Sequence, residues 1–316
     1  RRREDDIRNK LVLSYLDIIQ KVMPKLVFFE NVKGFTLPFQ KSKARNRRIT
    51  YAEEVKIRLE DLGYMVDTQV VNFGDYGLPQ RRARFILVGL SKDYFGDNPS
   101  LVKRFFELLE AQKEDFLQDR GLSIGTTLEE AISDLRALHG RRRLSPRDKF
   151  EFGLYGKTED SPYQKMMRIG ISTCDSIPDS HRFANHYPST VSRFEEILRL
   201  TRNDRNLCLN DEIKRTFCIK KHTIIPLSSR AKAPTITTLP DDYIHYEEPR
   251  ILTVREYARI QSFPDSYEFR GKYTTGGKLR KQETPRYTQI GNAIPPLFAE
   301  QAGLVLKEML RYGKDS

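Results

Sequence analysis

The sequence predicts an α/β fold on three observations: the apolar run Leu26-Val27-Phe28-Phe29 ending in Glu30, the alternating segment 64–73, and the apolar run 85–90, with a helical pattern between the first two. Ahead of the first run, Val12, Tyr15, Leu16, Ile19 and Val22 recur at helical spacing, Asp6 is placed to cap that helix, and Pro24 stops it. The run 26–29 is continuous rather than alternating, which is how a parallel strand covered on both faces reads. Residues 51 to about 62 are again helical and end at Gly63. The stretch Gly74-Asp75-Tyr76-Gly77-Leu78-Pro79 is a turn signal that separates the second strand from the third.

Beyond the third strand the character changes. Residues 91–249 mix helical and polar segments with basic clusters at 141–143, 202–205 and 220–222, and read as a second, smaller domain inserted into the first. After it, 253–263 and 297 to about 310 are helical, the latter introduced by Pro295-Pro296, where a missing amide costs nothing. Both are expected to return to the α/β domain. The expected organisation is therefore 1–90, 91–249 and 250–316.

Composition narrows the partners. Lys and Arg number 55 against 43 Asp and Glu, and the net charge of +12 suits a polyanion. The Cys at 174, 208 and 218 lack CxxC or Cys/His ligand spacing, so neither a disulfide framework nor a zinc site is indicated, and a reducing interior fits. The longest apolar runs are strand-sized and the start is no signal peptide, so no membrane is expected. A strand such as 26–29 needs ladder partners on both edges and cover on both faces, yet residues 1–25 offer one helix. The sheet is expected to be incomplete, and the chain to be part of a longer product or one of two polypeptides.

Four segments, in order, carry a resemblance: Phe29-Glu30-Asn31-Val32 after the first apolar run, Gln80-Arg81-Arg82-Ala83-Arg84 before the third strand, the stretch 250–269, and 287–300 with its Gly291-Asn292-Ala293-Ile294-Pro295-Pro296. With the long gap between the second and third, they resemble the later motifs of the DNA (cytosine-5) methyltransferase family. That family's nucleophile is the Cys of a Pro-Cys-Gln loop, and no Pro-Cys pair occurs here. The resemblance implies the second half of a Rossmann-like, S-adenosylmethionine-dependent methyltransferase sheet in 1–90 and 250–316, with an inserted target-recognition domain at 91–249. It implies duplex DNA as substrate and S-adenosylmethionine as methyl donor. The cofactor glycine motif and the Pro-Cys-Gln loop would come from residues upstream or from a partner chain, and the 316 residues alone are expected to be inactive. A cytoplasmic, nucleoid-associated location in a bacterium, or a nuclear one in a eukaryote, goes with a restriction-modification or phage-defence role.

The chemistry assigns roles. Carbon 5 of cytosine is a weak nucleophile until a thiolate adds to carbon 6, an addition helped by a proton or hydrogen bond at ring nitrogen 3. An acid at the carboxyl end of a parallel strand is partly desolvated, which raises its pKa, so Glu30 is expected to donate as a neutral acid. Arg82 and Arg84 are two apart at the strand entrance, so both are expected to point to one side. The resemblance implies that Arg84 reaches the exocyclic oxygen of a flipped cytosine with Arg82 beside it. It also implies that Asn292 and Ala293 touch S-adenosylmethionine, that Thr235 or Thr237 lies near the flipped nucleotide, and that Arg8 belongs to a loop closing over DNA. Gln80 and Arg81 either face DNA phosphates or brace their loop. Arg255 and Glu256 are expected in buried pairs, His222 and His245 as ordinary surface or core residues, and none of the three Cys as nucleophile. Two other readings remain: a non-catalytic DNA-recognition subunit, and the family's tRNA-methylating branch, to which a long basic insert is less suited.

Overall fold

The computed structural model describes residues 7–37, 50–139, 142–144, 150–156, 161–171, 176–274 and 282–313; Asp6, Arg141 and Cys174 fall outside them, as do the side chains of Arg8 and Arg142. The chain divides into two compact units, one comprising Arg1–Asn72, Ala83–Lys113 and Glu300–Ser316, the other Phe73–Arg82 and Glu114–Ala299.

The first unit contains helix α1 (Ile7–Val22), strand β1 (Leu26–Val32), helix α2 (Tyr51–Asp61), strands β2 (Tyr64–Asn72) and β3 (Ala83–Ser91), the short helix α3 (Lys92–Phe95) and α4 (Pro99–Gln118) as far as Lys113. The sheet order is β1-β3-β2, and β3 runs antiparallel to both neighbours. This corrects the parallel reading of 26–29, because the described partner of β1 is antiparallel. It is β3, flanked on both edges, that is buried at every residue from Phe85 to Ser91. β1 is mostly half-buried.

Leu16 and Ile19 of α1, Val55 and Leu59 of α2, and Val27, Tyr64, Val66, Phe85 and Leu87 of the strands form one core. Thr50 caps α2 through a reciprocal bond with Glu53, an arrangement that stabilises a helix by about 1 kcal/mol. Gly63 closes the same helix at φ +87°, where a Cβ would be strained. Phe29 packs on Phe35 at 5.5 Å and on Phe85 at 6.5 Å between ring centroids, which fixes β1 at the residue preceding Glu30.

In the second unit lie α5 (Leu128–Ile132), the hairpin of β4 (Arg142–Leu144) and β5 (Glu151–Gly153), α6 (Pro162–Met167), α7 (Pro188–Leu200), α8 (Asp211–Thr216), the parallel pair β6 (Ile225–Pro226) and β7 (Tyr243–Ile244), α9 (Val254–Ile260), α10 (Arg286–Asn292) and the start of α11 (Pro296–Met309). Every residue of α9 is buried, and Thr253 caps it in a second reciprocal box with Glu256. Arg255 pairs with Asp179 at 3.1 Å and Glu256 with Arg250 at 2.7 Å, the buried pairs expected of them. Because partners of α9 include Ala131, Asp134, Asp179 and Arg250, it packs with the region before it in sequence. The expected boundaries at 90/91 and 249/250 therefore differ from the packing: 73–82 and 250–299 belong to the second unit, and 91–113 to the first.

His181 and His245 are fully buried in this unit. Desolvation, reinforced by Arg250, holds both rings well below their ordinary value of 6.5. The unfolded chain therefore binds more protons below pH 6.5, and stability falls as pH drops through that value. Each His should cost about 1.4 kcal/mol per pH unit below its ordinary pKa. Denaturant titrations at about pH 7.5 and 5.5 should differ by about 2–3 kcal/mol, and His245→Gln should remove close to half of that difference.

Candidate active site

Glu30 and Arg84 are brought together by strand register. Glu30 lies opposite Ile86 and Val32 opposite Arg84, so the carboxyl and the guanidinium are diagonal neighbours on one face of the β1–β3 ladder. Nε of Arg84 donates to Oε1 of Glu30 at 2.9 Å, with the side chains only 12% and 16% exposed. Nη1 of Arg84 also donates to the Ala83 carbonyl at 2.9 Å. Burial pulls the Arg84 pKa down while Glu30 pushes it back up. The parallel setting expected for Glu30 is corrected, because β1 runs antiparallel to β3.

Arg82 has other partners. It precedes β3, so the two-residue alternation that would align it with Arg84 does not reach it. Its Nη2 donates to the carbonyls of Gly291 at 2.8 Å and Ala293 at 3.2 Å, and the residue is 2% exposed. It supports the turn that carries Asn292 and Ala293. Gln80, with no exposure, donates to the Ile260 carbonyl at 2.9 Å and to Oε1 of Gln261. Gln261 in turn donates to the carbonyls of Ile290 at 2.8 Å and Ala293 at 3.1 Å. Of the two roles open to Gln80, bracing is the one its burial permits, and a contact with DNA phosphate is ruled out by the lack of surface. A Cβ on Gly291 would lie 2.6 Å from the Thr237 carbonyl oxygen, so only glycine fits that approach.

The remaining candidates are dispersed. The side chain of Arg81 is exposed, and its amide donates to the Ala233 carbonyl at 2.8 Å. Thr235 donates its hydroxyl proton to the Arg81 carbonyl. Thr237 donates to Oδ2 of Asp242 at 2.6 Å and accepts from the Leu239 amide at 3.1 Å. Asn292 is exposed at the end of α10 and Ala293 is half-buried. Arg8 lies in α1. Sequence reasoning missed Gln261 and Lys232; the first lies at the end of a helix the spacing does predict and the second in a loop, and neither position announces its partners.

A family model for C-5 cytosine-specific DNA methylase matches residues 1–308. The chain belongs to the C-5 cytosine-specific DNA methylase family. It is 30% identical to Type II methyltransferase M.DdeI of Desulfomicrobium norvegicum over 95% of this chain and 66% of that protein. It is 30% identical to Type II methyltransferase M.Bpa9945I of Bacillus paralicheniformis over 96% of this chain and 65% of that one. It thus spans a little under two thirds of the length of either relative. An E. coli prophage-encoded protein, assigned as a DNA modification methyltransferase, has a crystal structure that matches with TM-score 0.60 at 18% identity, covering 97% of this chain and 76% of that one. That likeness bears on the fold, which is mixed α/β and Rossmann-like, as expected from the sequence. Among the described residues no helix is long and apolar enough to cross a membrane.

A double-mutant cycle on Glu30→Gln and Arg84→Met, read by denaturant unfolding, should return a coupling of about 1–2 kcal/mol, between the values for exposed and buried pairs. A coupling under about 0.3 kcal/mol would show that the pair does not form in solution.

Proposed function

We propose that the chain is the target-base portion of a DNA cytosine-5 methyltransferase that acts on a cytosine flipped out of duplex DNA. The observation that carries this is the Glu30–Arg84 pair, a carboxyl and a guanidinium 2.9 Å apart on one sheet face. Membership of the family supports the chemistry, and the net charge of +12 supports a polyanionic substrate. Two of its relatives are named as Type II methyltransferases, which supports a restriction-modification role.

On this reading Arg84 donates to the exocyclic oxygen of the extruded base, and Glu30 holds a proton at ring nitrogen 3. Withdrawing electrons at nitrogen 3 makes carbon 6 susceptible to a thiolate, and the electron pair displaced by sulfur arrives at carbon 5. The thiol, in a Pro-Cys-Gln loop, comes from upstream residues or a partner chain. The apolar outer stripe Leu11, Ile18 and Val22 of α1, exposed and at helical spacing, supports a further covering element in the first unit.

S-adenosylmethionine supplies the methyl group. The residues present fit it at the Gly291-Asn292-Ala293 turn: its carbonyls are held from within by Arg82 and Gln261, and Asn292 is left exposed with an amide to offer. The exposure of Arg81 beside that bracing supports a contact with phosphate, and the part of the expected insert within the second unit, 114–249, supplies target recognition.

The chain alone should transfer no labelled methyl group to DNA, whereas adding the upstream part or partner restores transfer. Glu30→Gln should then lower the rate by about 10²-fold or more. Salt-sensitive DNA binding without transfer under any supplementation would instead identify a recognition subunit, and full activity of the isolated chain would refute an external thiol.

A further inference from the structure

The segment 73–82 leaves the regular structure of the sheet and re-enters it at Ala83 through a 3-10 turn (Phe73–Tyr76) and Gly77 at φ +84°. Such a path turns carbonyls away from any ladder, and each needs a donor. One side chain meets two of them. Nζ of Lys232 donates to the carbonyls of Gly74 and Leu78, both at 2.8 Å, and to that of Ile124. An ammonium has three protons and no acceptor capacity, so these three bonds use all it has.

The main chain around Lys232 grips the other end of the same segment. The Ala233 amide donates to the Pro79 carbonyl at 2.9 Å, the Arg81 amide donates to the Ala233 carbonyl at 2.8 Å, and Gln80 and Ala233 form a parallel bridge. Asn206 Nδ2 anchors the Lys232 carbonyl at 3.1 Å. A single residue therefore ties the start and middle of the segment with its side chain and adjoins the ladder that fixes its end. An apolar side chain of similar length could fill the space without the desolvation an ammonium suffers, so what the ammonium adds is fixed geometry.

We propose that Lys232 is the positioning residue of the segment 73–82, holding the backbone that presents Arg81 to DNA and directs Arg82 to the Gly291–Ala293 turn. This rests on the methyltransferase reading for its consequence in catalysis, but the clamp can be measured without it. Burial lowers the Lys232 pKa to about 8, with Asp75 and Glu130 opposing and Arg81 adding to the fall, so a test at about pH 7 keeps the ammonium charged.

The test compares wild type, Lys232→Met and Lys232→Arg in the full protein with whatever upstream part or partner transfer requires. Amide hydrogen exchange at 74–81 should quicken in K232M by about tenfold or more, with little change elsewhere in the second unit. The kcat/KM for DNA should fall about tenfold, while K232R, which keeps a charged donor, regains most of both. If K232M does not fold, Lys232→Gln, which keeps two donors, carries the same comparison. Unchanged exchange at 74–81 in the variant overturns the proposal, as does faster exchange with an unaltered kcat/KM for DNA. If the wild type transfers no methyl group under any supplementation, the methyltransferase reading fails, and the exchange data still decide the clamp.

Discussion

A guanidinium with no access to water is tolerated only if its charge and all five donors are met, and Arg259 on α9 satisfies that condition in full. Nε donates to Asp265, Nη1 to Asp134 and the Ala131 carbonyl, and Nη2 to both carboxylates, at 2.7–3.0 Å. Tyr155 donates to Asp265 at 2.7 Å and Tyr163 to the Arg259 carbonyl at 2.7 Å. Residues far apart in sequence are thereby gathered on one helix. Such clusters are costly to assemble and costlier to break, which makes the arrangement all-or-none.

The consequence runs one residue at a time toward the site. Fixing Arg259 fixes the end of α9, where the Ile260 carbonyl and the Gln261 amide hold Gln80 on one side and the 290–293 turn on the other. Ser262, at φ +60°, receives the Leu297 amide at 3.0 Å and so caps the start of α11. A left-handed backbone at a serine costs about 1–2 kcal/mol and persists only where neighbours over-determine it. Here they do, since it lies directly between the charged cluster and the cap. Arg255 and Glu256, whose pairing was expected, are part of the same construction.

Local patterns carried far in this sequence, because they report burial and capping. The strands, α1, α2, α9 and the proline-led α11 are where spacing and caps place them, and the α/β class follows. What spacing does not encode is the partner. A continuous apolar strand is compatible with parallel or antiparallel neighbours, so 26–29 could not reveal that β3 runs against it. The Arg-x-Arg spacing at 82 and 84 implies one face only if both residues are in the strand, and β3 starts at Ala83. Gln80 and Gln261 meet across 181 positions, a contact that no local period announces. Glu30 and Arg84 were legible as a pair only through resemblance, and it is the register that makes them neighbours.

That pairing also constrains how the proposed chemistry can begin. Held apart in a half-dry environment, a carboxylate and a guanidinium would each carry an unpaid desolvation penalty of several kcal/mol, so they rest on one another. A cytosine edge sets an acceptor nitrogen beside an acceptor oxygen, and on the proposed reading each protein group keeps one contact with its partner while adding one to the base. The guanidinium has five N–H groups, of which Nε donates to Glu30 and one on Nη1 to Ala83, so donating to a base as well is within its reach. The carboxylate cannot without a proton, because ring nitrogen 3 also accepts. On the proposed reading a proton therefore lies between Glu30 and ring nitrogen 3, and the step that makes carbon 6 reactive needs the base seated against both side chains.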